Sequence, residues 1–245
     1  MTRDVPAADR LIVALDVDTR EEALEIVRSL GDAVTFYKVG LQLFIEAGMP
    51  FVRELIAAGK KVFLDLKIDD IPRTVEAAVD RASIGDGVRL FTLQGNAATA
   101  RAARKGRGAR EYPKLMQVTY LSSWNADDFR DSAGLDRDLP LPPFDEMVER
   151  RARTALAAGC DGVIASGTSV ERLRRAFPDA IIVTPGIRPA GGDTHDHKRS
   201  LTPYDAIRYG ADYLVVGRPL RDASDPPATA RAIVADIEKA LAERR

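Results

Sequence analysis

Asp65, Lys67 and Asp70 stand in an Asp-X-Lys-X-X-Asp spacing within the run Val62-Phe-Leu-Asp65-Leu-Lys67-Ile-Asp-Asp70-Ile-Pro72. Two carboxylates and an ammonium are thereby placed where an apolar strand gives way to a loop. A second lysine, Lys38, lies near the end of another apolar run, Thr35-Phe-Tyr-Lys38-Val-Gly40. The chain carries 28 arginines and only eight lysines, so arginine is its ordinary surface cation. A lysine held between acids points to proton chemistry, because an ammonium can release a proton and a guanidinium in effect cannot.

Short β-branched runs alternate with helical patterns along the chain. Strands are expected at residues 11–15, 35–39, 61–65, 88–92, 114–119, 162–165, 181–184 and 213–217, with helical periodicity over 20–30, 51–58, 75–83 and 144–158. Gly59, Gly85, Gly159 and Gly210 each precede a strand closely and read as helix C-terminal caps. Eight βα units in 245 residues predict a single-domain α/β fold, a parallel (β/α)8 barrel spanning 1–245. The alternative, an open doubly wound sheet, needs no eighth strand and usually shows a dinucleotide fingerprint after its first strand. None follows residues 11–15. Residues 122–143 and 185–203 interrupt the rhythm; the first is expected to cover the barrel mouth and the second to form a lid.

Barrel chemistry belongs at the C-terminal ends of the strands. Asp16, Lys38, Asp65, Lys67 and Asp70 would converge there as an alternating acid/base array, in which each carboxylate stabilises its neighbouring ammonium. The bland alternative is a structural ion-pair network. Ser122 and Ser123 follow the fifth strand, Arg188 the seventh within Pro185-Gly186-Ile187-Arg188, and Arg218 the eighth within Val215-Val-Gly217-Arg218-Pro219. Two Gly-to-Arg turns on neighbouring strands suit a phosphate, although each alone reads equally well as a tight turn with a solvated arginine. The substrate expected is therefore a small phosphorylated molecule.

Composition narrows the alternatives. Net charge is −1 with 45% apolar and 30% charged residues, which offers no electrostatic case for nucleic acid or an anionic membrane. No run is long and apolar enough for a signal peptide or a bilayer span, and a single cysteine suits a cytoplasmic protein. Cys160 reads as a small core residue, residues 101–110 as a solvated helix face, and Trp124 as a pocket wall or a loop-packing residue. His195 and His197, with Asp193 and Asp196, lie in a Gly-rich stretch without the convergent second shell of a metal site, so no metal is expected.

Six segments together resemble the orotidine 5′-monophosphate decarboxylase family over essentially the whole chain: Leu-Ile-Val-Ala-Leu-Asp16, Phe-Tyr-Lys38-Val-Gly, Val-Phe-Leu-Asp65-Leu-Lys67-Ile-Asp-Asp70-Ile-Pro-Arg-Thr74, Val-Thr-Tyr-Leu-Ser122-Ser, Thr-Pro-Gly-Ile-Arg188-Pro and Val-Val-Gly217-Arg218-Pro. The resemblance implies a homodimeric barrel that converts orotidine 5′-monophosphate to UMP and CO2 without metal or organic cofactor. By position, Lys67 would donate a proton to C6 and Asp65 would lie beside the substrate carboxylate. Asp16 and Lys38 would hold the ribose hydroxyls, and Asp70, Ile71 and Thr74 would enter the partner's site. Ser122 would bind the pyrimidine, and Arg188, Gly217 and Arg218 the phosphate.

The chain departs from the family pattern in places. His197 stands near the position of the usual lid glutamine, Thr92-Leu-Gln-Gly95-Asn96 replaces a His-Ala-X-Gly-Gly run, and Asp69 and Arg73 stand where His and Asn are usual. The related metal-dependent sugar-phosphate decarboxylases and hexulose-phosphate synthases share the Asp-X-Lys-X-X-Asp block but place a glutamate on strand 2, where this chain has Lys38. A non-catalytic nucleotide-binding barrel would need the phosphate turns but not Lys67.

Overall fold

Side chains that alternate with a period of two sort each strand between an inner and an outer core. The computed structural model describes residues 5–121, 123–167, 169–189 and 201–244. Its strands are β1 (Leu11–Ala14), β2 (Phe36–Gly40), β3 (Lys61–Ile68), β4 (Val88–Leu93), β5 (Lys114–Val118), β6 (Gly162–Ile164), β7 (Ile181–Thr184) and β8 (Tyr213–Val216). They close in chain order into one parallel barrel, β1 pairing both β2 and β8. This is the expected (β/α)8 TIM barrel.

Ile12, Ala14, Phe36, Phe63, Leu90, Met116, Ile181, Val183 and Val215 fill the barrel interior. Their neighbours, such as Leu11, Val13, Tyr37, Val62 and Leu64, face the surrounding helices. Both strand faces are buried, which accounts for nearly continuous apolar runs in the sequence.

The helices are α1 (Arg20–Leu30), α2 (Leu41–Ala57), α3 (Pro72–Ala82), α4 (Ala97–Arg107), α5 (Ala126–Ala133), α6 (Phe144–Ala157), α7 (Ser169–Ala176), α8 (Pro203–Tyr209), α9 (Arg218–Arg221) and α10 (Pro226–Glu243). Thr19 and Glu22 close a capping box at α1. The four glycines expected at helix ends all have positive φ, from 55° at Gly85 to 118° at Gly210. A side chain at any of them would be strained. Where α3 crosses α4, a Cβ on Gly106 would come within 2.2 Å of the Glu76 carbonyl oxygen, so this close helix contact requires glycine.

Three sequence expectations need correction. The helix expected at 51–58 is only the second half of α2, whose path breaks at Gly48 (φ 59°, ψ −163°). Its first half escaped detection because Leu41 and Ile45 are 55% and 77% exposed, which spoils the apolar periodicity. Residues 122–143 include α5, capped by Asn125 and Asp128. Tyr120 packs against Trp124, Phe129 and Phe144, which ties this segment to the start of α6. Finally, Arg107 is 7% exposed and ion-paired with Asp161, so residues 101–110 are not uniformly a solvated face.

Candidate active site

The inward alternation continues beyond the apolar layer and turns polar. Ile12 and Ala14 lead to Asp16, Phe36 to Lys38, Phe63 to Asp65 and Lys67, and Leu90 to Thr92. A two-residue step along each of these strands therefore carries a polar group to the C-terminal end, charged on β1–β3 and a hydroxyl on β4. There a cavity of about 570 Å³ is lined by Asp16, Lys38, Asp65 and Lys67 from the β1–β3 side. Gly186, Arg188, Gly217 and Arg218 line it from the loops after β7 and β8.

The Lys38 side chain is only 9% exposed, with Nζ 2.6 Å from Asp16 Oδ1 and 3.6 Å from Asp65 Oδ2. Lys67 Nζ lies 2.9 Å from Asp65 Oδ1. Each Asp65 oxygen thus faces a different lysine. Two ammonium groups against two carboxylates leave the cluster near neutrality, which makes its partial burial tolerable. A Cβ on Gly40 would stand 3.1 Å from both Asp16 Oδ1 and Lys38 Nζ, so this glycine keeps space for the pair.

Asp70 does not join the cluster within this chain. It is exposed, and its Oδ1 accepts the Ile71 N–H at 2.6 Å. Ile71 is 66% exposed and Thr74 is exposed. None of the three lines the cavity. The short Asp-X-Lys-X-X-Asp spacing is misleading here, because β3 ends at Ile68, between its last two members, and Asp70 lies in the loop that leads to α3.

At the other end of the cavity, Gly186 has φ 75° and Arg188 Nη1 donates to the Ile187 carbonyl at 3.0 Å. Gly217 caps α9, and Arg218 is exposed. Arg221, one turn later, also lines the cavity and donates from Nη1 to the Asp16 carbonyl oxygen at 3.2 Å. This basic rim stands apart from the Asp65 carboxylate and suits an anionic end of a ligand.

Sequence reasoning missed Gln42, Tyr120 and Arg221 among the lining residues. Two signals were present. Tyr120 continues the inward series Met116, Val118, and Arg221 follows Arg218 at helical spacing. Trp124 packs on Tyr120 and does not line the cavity. Ser122 and His197 lie outside the described residues, as do His195, Asp193 and Asp196. Among the described residues, no group of three or more His, Cys, Asp or Glu side chains could hold a metal ion. No described helix is long and apolar enough to cross a membrane.

The family model described as "Orotidine 5'-phosphate decarboxylase / HUMPS family" matches residues 9–233. The chain belongs to this family. Within it, the chain is 45% identical over 238 residues to an orotidine 5′-phosphate decarboxylase of Methylobacterium radiotolerans, covering 97% of this chain and all of that one. An orotidine 5′-phosphate decarboxylase of Nitrobacter winogradskyi is 45% identical over 236 residues, covering 96% and 95% of the two chains. The crystal structure of orotidine 5′-phosphate decarboxylase from Lactobacillus acidophilus superposes with a TM-score of 0.80 at 36% identity, covering 94% of this chain and 99% of that one. Family membership and barrel geometry therefore agree over almost the whole chain.

Proposed function

We propose that this chain is a carboxy-lyase that decarboxylates orotidine 5′-monophosphate to UMP and CO2, the closing step of de novo pyrimidine synthesis, as one domain spanning 1–245. The observation that carries the reading is Lys67 Nζ held 2.9 Å from Asp65 inside a cavity whose other end is basic. Gly217, Arg188 and Arg218 would take the phosphate, and Asp16 and Lys38 the ribose hydroxyls. The C6 carboxylate would then sit beside Asp65. As the bond from C6 to the carboxylate breaks, its electron pair stays on C6 and CO2 departs. Lys67 meets the growing negative charge with its ammonium and transfers a proton to C6, forming UMP. Solvent reprotonates the amine. The attraction strengthens as charge develops, so it lowers the barrier rather than only holding substrate.

Remote binding energy at the phosphate would offset the placement of a carboxylate near Asp65. No metal or organic cofactor enters the scheme. Lys38 between Asp16 and Asp65 speaks against the divalent cation of the related sugar-phosphate enzymes, because its ammonium would repel that ion. The exposed Leu41, Ile45 and Ile71, with Asp70 and Thr74 nearby in the chain, support a homodimer in which Asp70, Ile71 and Thr74 complete the partner's site. Ser122 is assigned to the pyrimidine and His197 to the lid. The compartment proposed is the cytoplasm, with neither nucleic acid nor membrane as a partner.

The test is turnover. Wild-type protein with orotidine 5′-monophosphate and EDTA should consume the substrate absorbance, and folded Lys67→Ala should lose at least about a hundredfold in rate. An inert, folded wild-type sample would sink the reading. Activity abolished specifically by chelation would move the chain to the metal-dependent branch.

A further inference from the structure

We propose that Thr92 is a positioning residue that locks Asp65 and Lys67 into their working arrangement; this rests on the reading of Lys67 as proton donor. Thr92 is the fifth polar residue on the inward series, two positions beyond Leu90, and is fully buried. It does not line the cavity, so it acts through its neighbours.

The local backbone explains why a lock is needed. Between β3 and β4, Leu64 pairs with Phe91 and the next pair is Ile68 with Leu93. Four steps on β3 therefore span two on β4, and residues 65–67 arch out of the ladder as a bulge. Lys67 has φ 51°, the one positive value among the described non-glycine residues. A long side chain in that region persists only where its surroundings hold it.

Thr92 supplies that hold. Its Oγ1 accepts the Lys67 N–H at 2.9 Å, in place of a ladder carbonyl. The same hydroxyl lies 3.1 Å from Asp65 Oδ1 and 3.5 Å from the Leu64 carbonyl oxygen. A hydroxyl has one proton to give, and the nearer, charged acceptor takes it. One side chain thus fixes the Lys67 main chain and the Asp65 carboxylate that the Lys67 ammonium meets. Valine has nearly the same shape but would leave the Lys67 N–H without a partner and release Asp65 from one of its two donors at Oδ1. Serine would keep both bonds.

Thr92→Val and Thr92→Ser test the assignment through kcat and KM for orotidine 5′-monophosphate, UMP affinity by calorimetry, and thermal melts. The Val variant should lose about 10- to 100-fold in kcat, the effect of one hydrogen bond to a charged group, with KM within about threefold of wild type. UMP lacks the C6 carboxylate, so its affinity should stay within about twofold. The Ser variant should keep kcat within about threefold of wild type. A folded Val variant with wild-type kcat overturns the proposal. So does a Ser variant as impaired as Val, a fall in UMP affinity matching the fall in kcat, or loss of fold in both variants. The wild-type control separates the two levels: no turnover by wild type defeats the reading of Lys67, whereas equal turnover by wild type and Thr92→Val defeats only the role of Thr92.

Discussion

Lys67 meets Asp65, not Asp70: its ammonium lies 2.9 Å from Asp65 Oδ1, two residues back along the same strand. The Asp70 carboxylate instead accepts the N–H of Ile71 and faces outward. The pair within the cavity and the acid outside it have separate consequences for experiment.

An outward Asp70 predicts complementation between inactive chains. Lys67→Ala and Asp70→Ala proteins, mixed and allowed to exchange subunits, should form hybrids with one intact and one doubly damaged site. Random exchange should restore about a quarter of wild-type activity, since half the dimers are hybrids with half their sites intact. Exchange demonstrated by mass spectrometry with no return of activity would refute a shared site.

Gly40→Ala isolates the Lys38–Asp16 pair. The backbone at Gly40 is extended (φ −85°, ψ 174°), so alanine adds no conformational strain. Its Cβ would crowd Asp16 Oδ1 and Lys38 Nζ at 3.1 Å. We expect kcat/KM to fall about tenfold while unfolding free energy changes by less than about 1 kcal/mol. A variant with unaltered kinetics would show that the pair's spacing is unimportant to substrate.

Arg218 should be valued only by a phosphorylated substrate. Arg218→Ala should lower kcat/KM for orotidine 5′-monophosphate by about 10- to 100-fold, the scale of a charge-assisted hydrogen bond. Orotidine, which lacks the phosphate, should react equally slowly with both proteins. Equal losses on the two substrates would place Arg218 elsewhere in the mechanism.

Alkaline pH should weaken the fold through a buried and a half-buried group at the opposite end of the barrel from the catalytic rim. Burial, followed by the Asp161 charge, pushes the Cys160 thiol up to about 12, and burial with Asp212 does the same to the Tyr213 phenol. In the unfolded chain these groups lose their protons near about 8.5 and 10. Above those values the unfolded state binds fewer protons than the folded state, so stability falls as pH rises toward about 12. Urea titrations from pH 8 to 11 should show this fall, with a shallower slope in Cys160→Ala. Identical slopes would remove the thiol from the account.

Much of the site was legible because strands repeat every two residues. Apolar inward positions at Ile12, Phe36 and Phe63 lead by even steps to Asp16, Lys38 and Asp65, and the glycines before strands mark where helices stop. Tyr120 obeys the same step and was overlooked beside the more conspicuous Trp124. The outer half of α2 was hidden for the opposite reason, since Leu41 and Ile45 put apolar side chains on its exposed face.

By itself the sequence determined the eight-stranded alternation, the charged residues at the strand ends and the Gly-Arg turns that face them. These depend on local periodicity and on residue types whose chemistry travels with them. Only the tertiary structure decided that Thr92 joins Lys67 and that Arg107 is buried against Asp161. Those partners depend on strand register and helix crossing. The bulge between β3 and β4 offsets which residues stand opposite one another on the two strands, and linear spacing carries no measure of that offset.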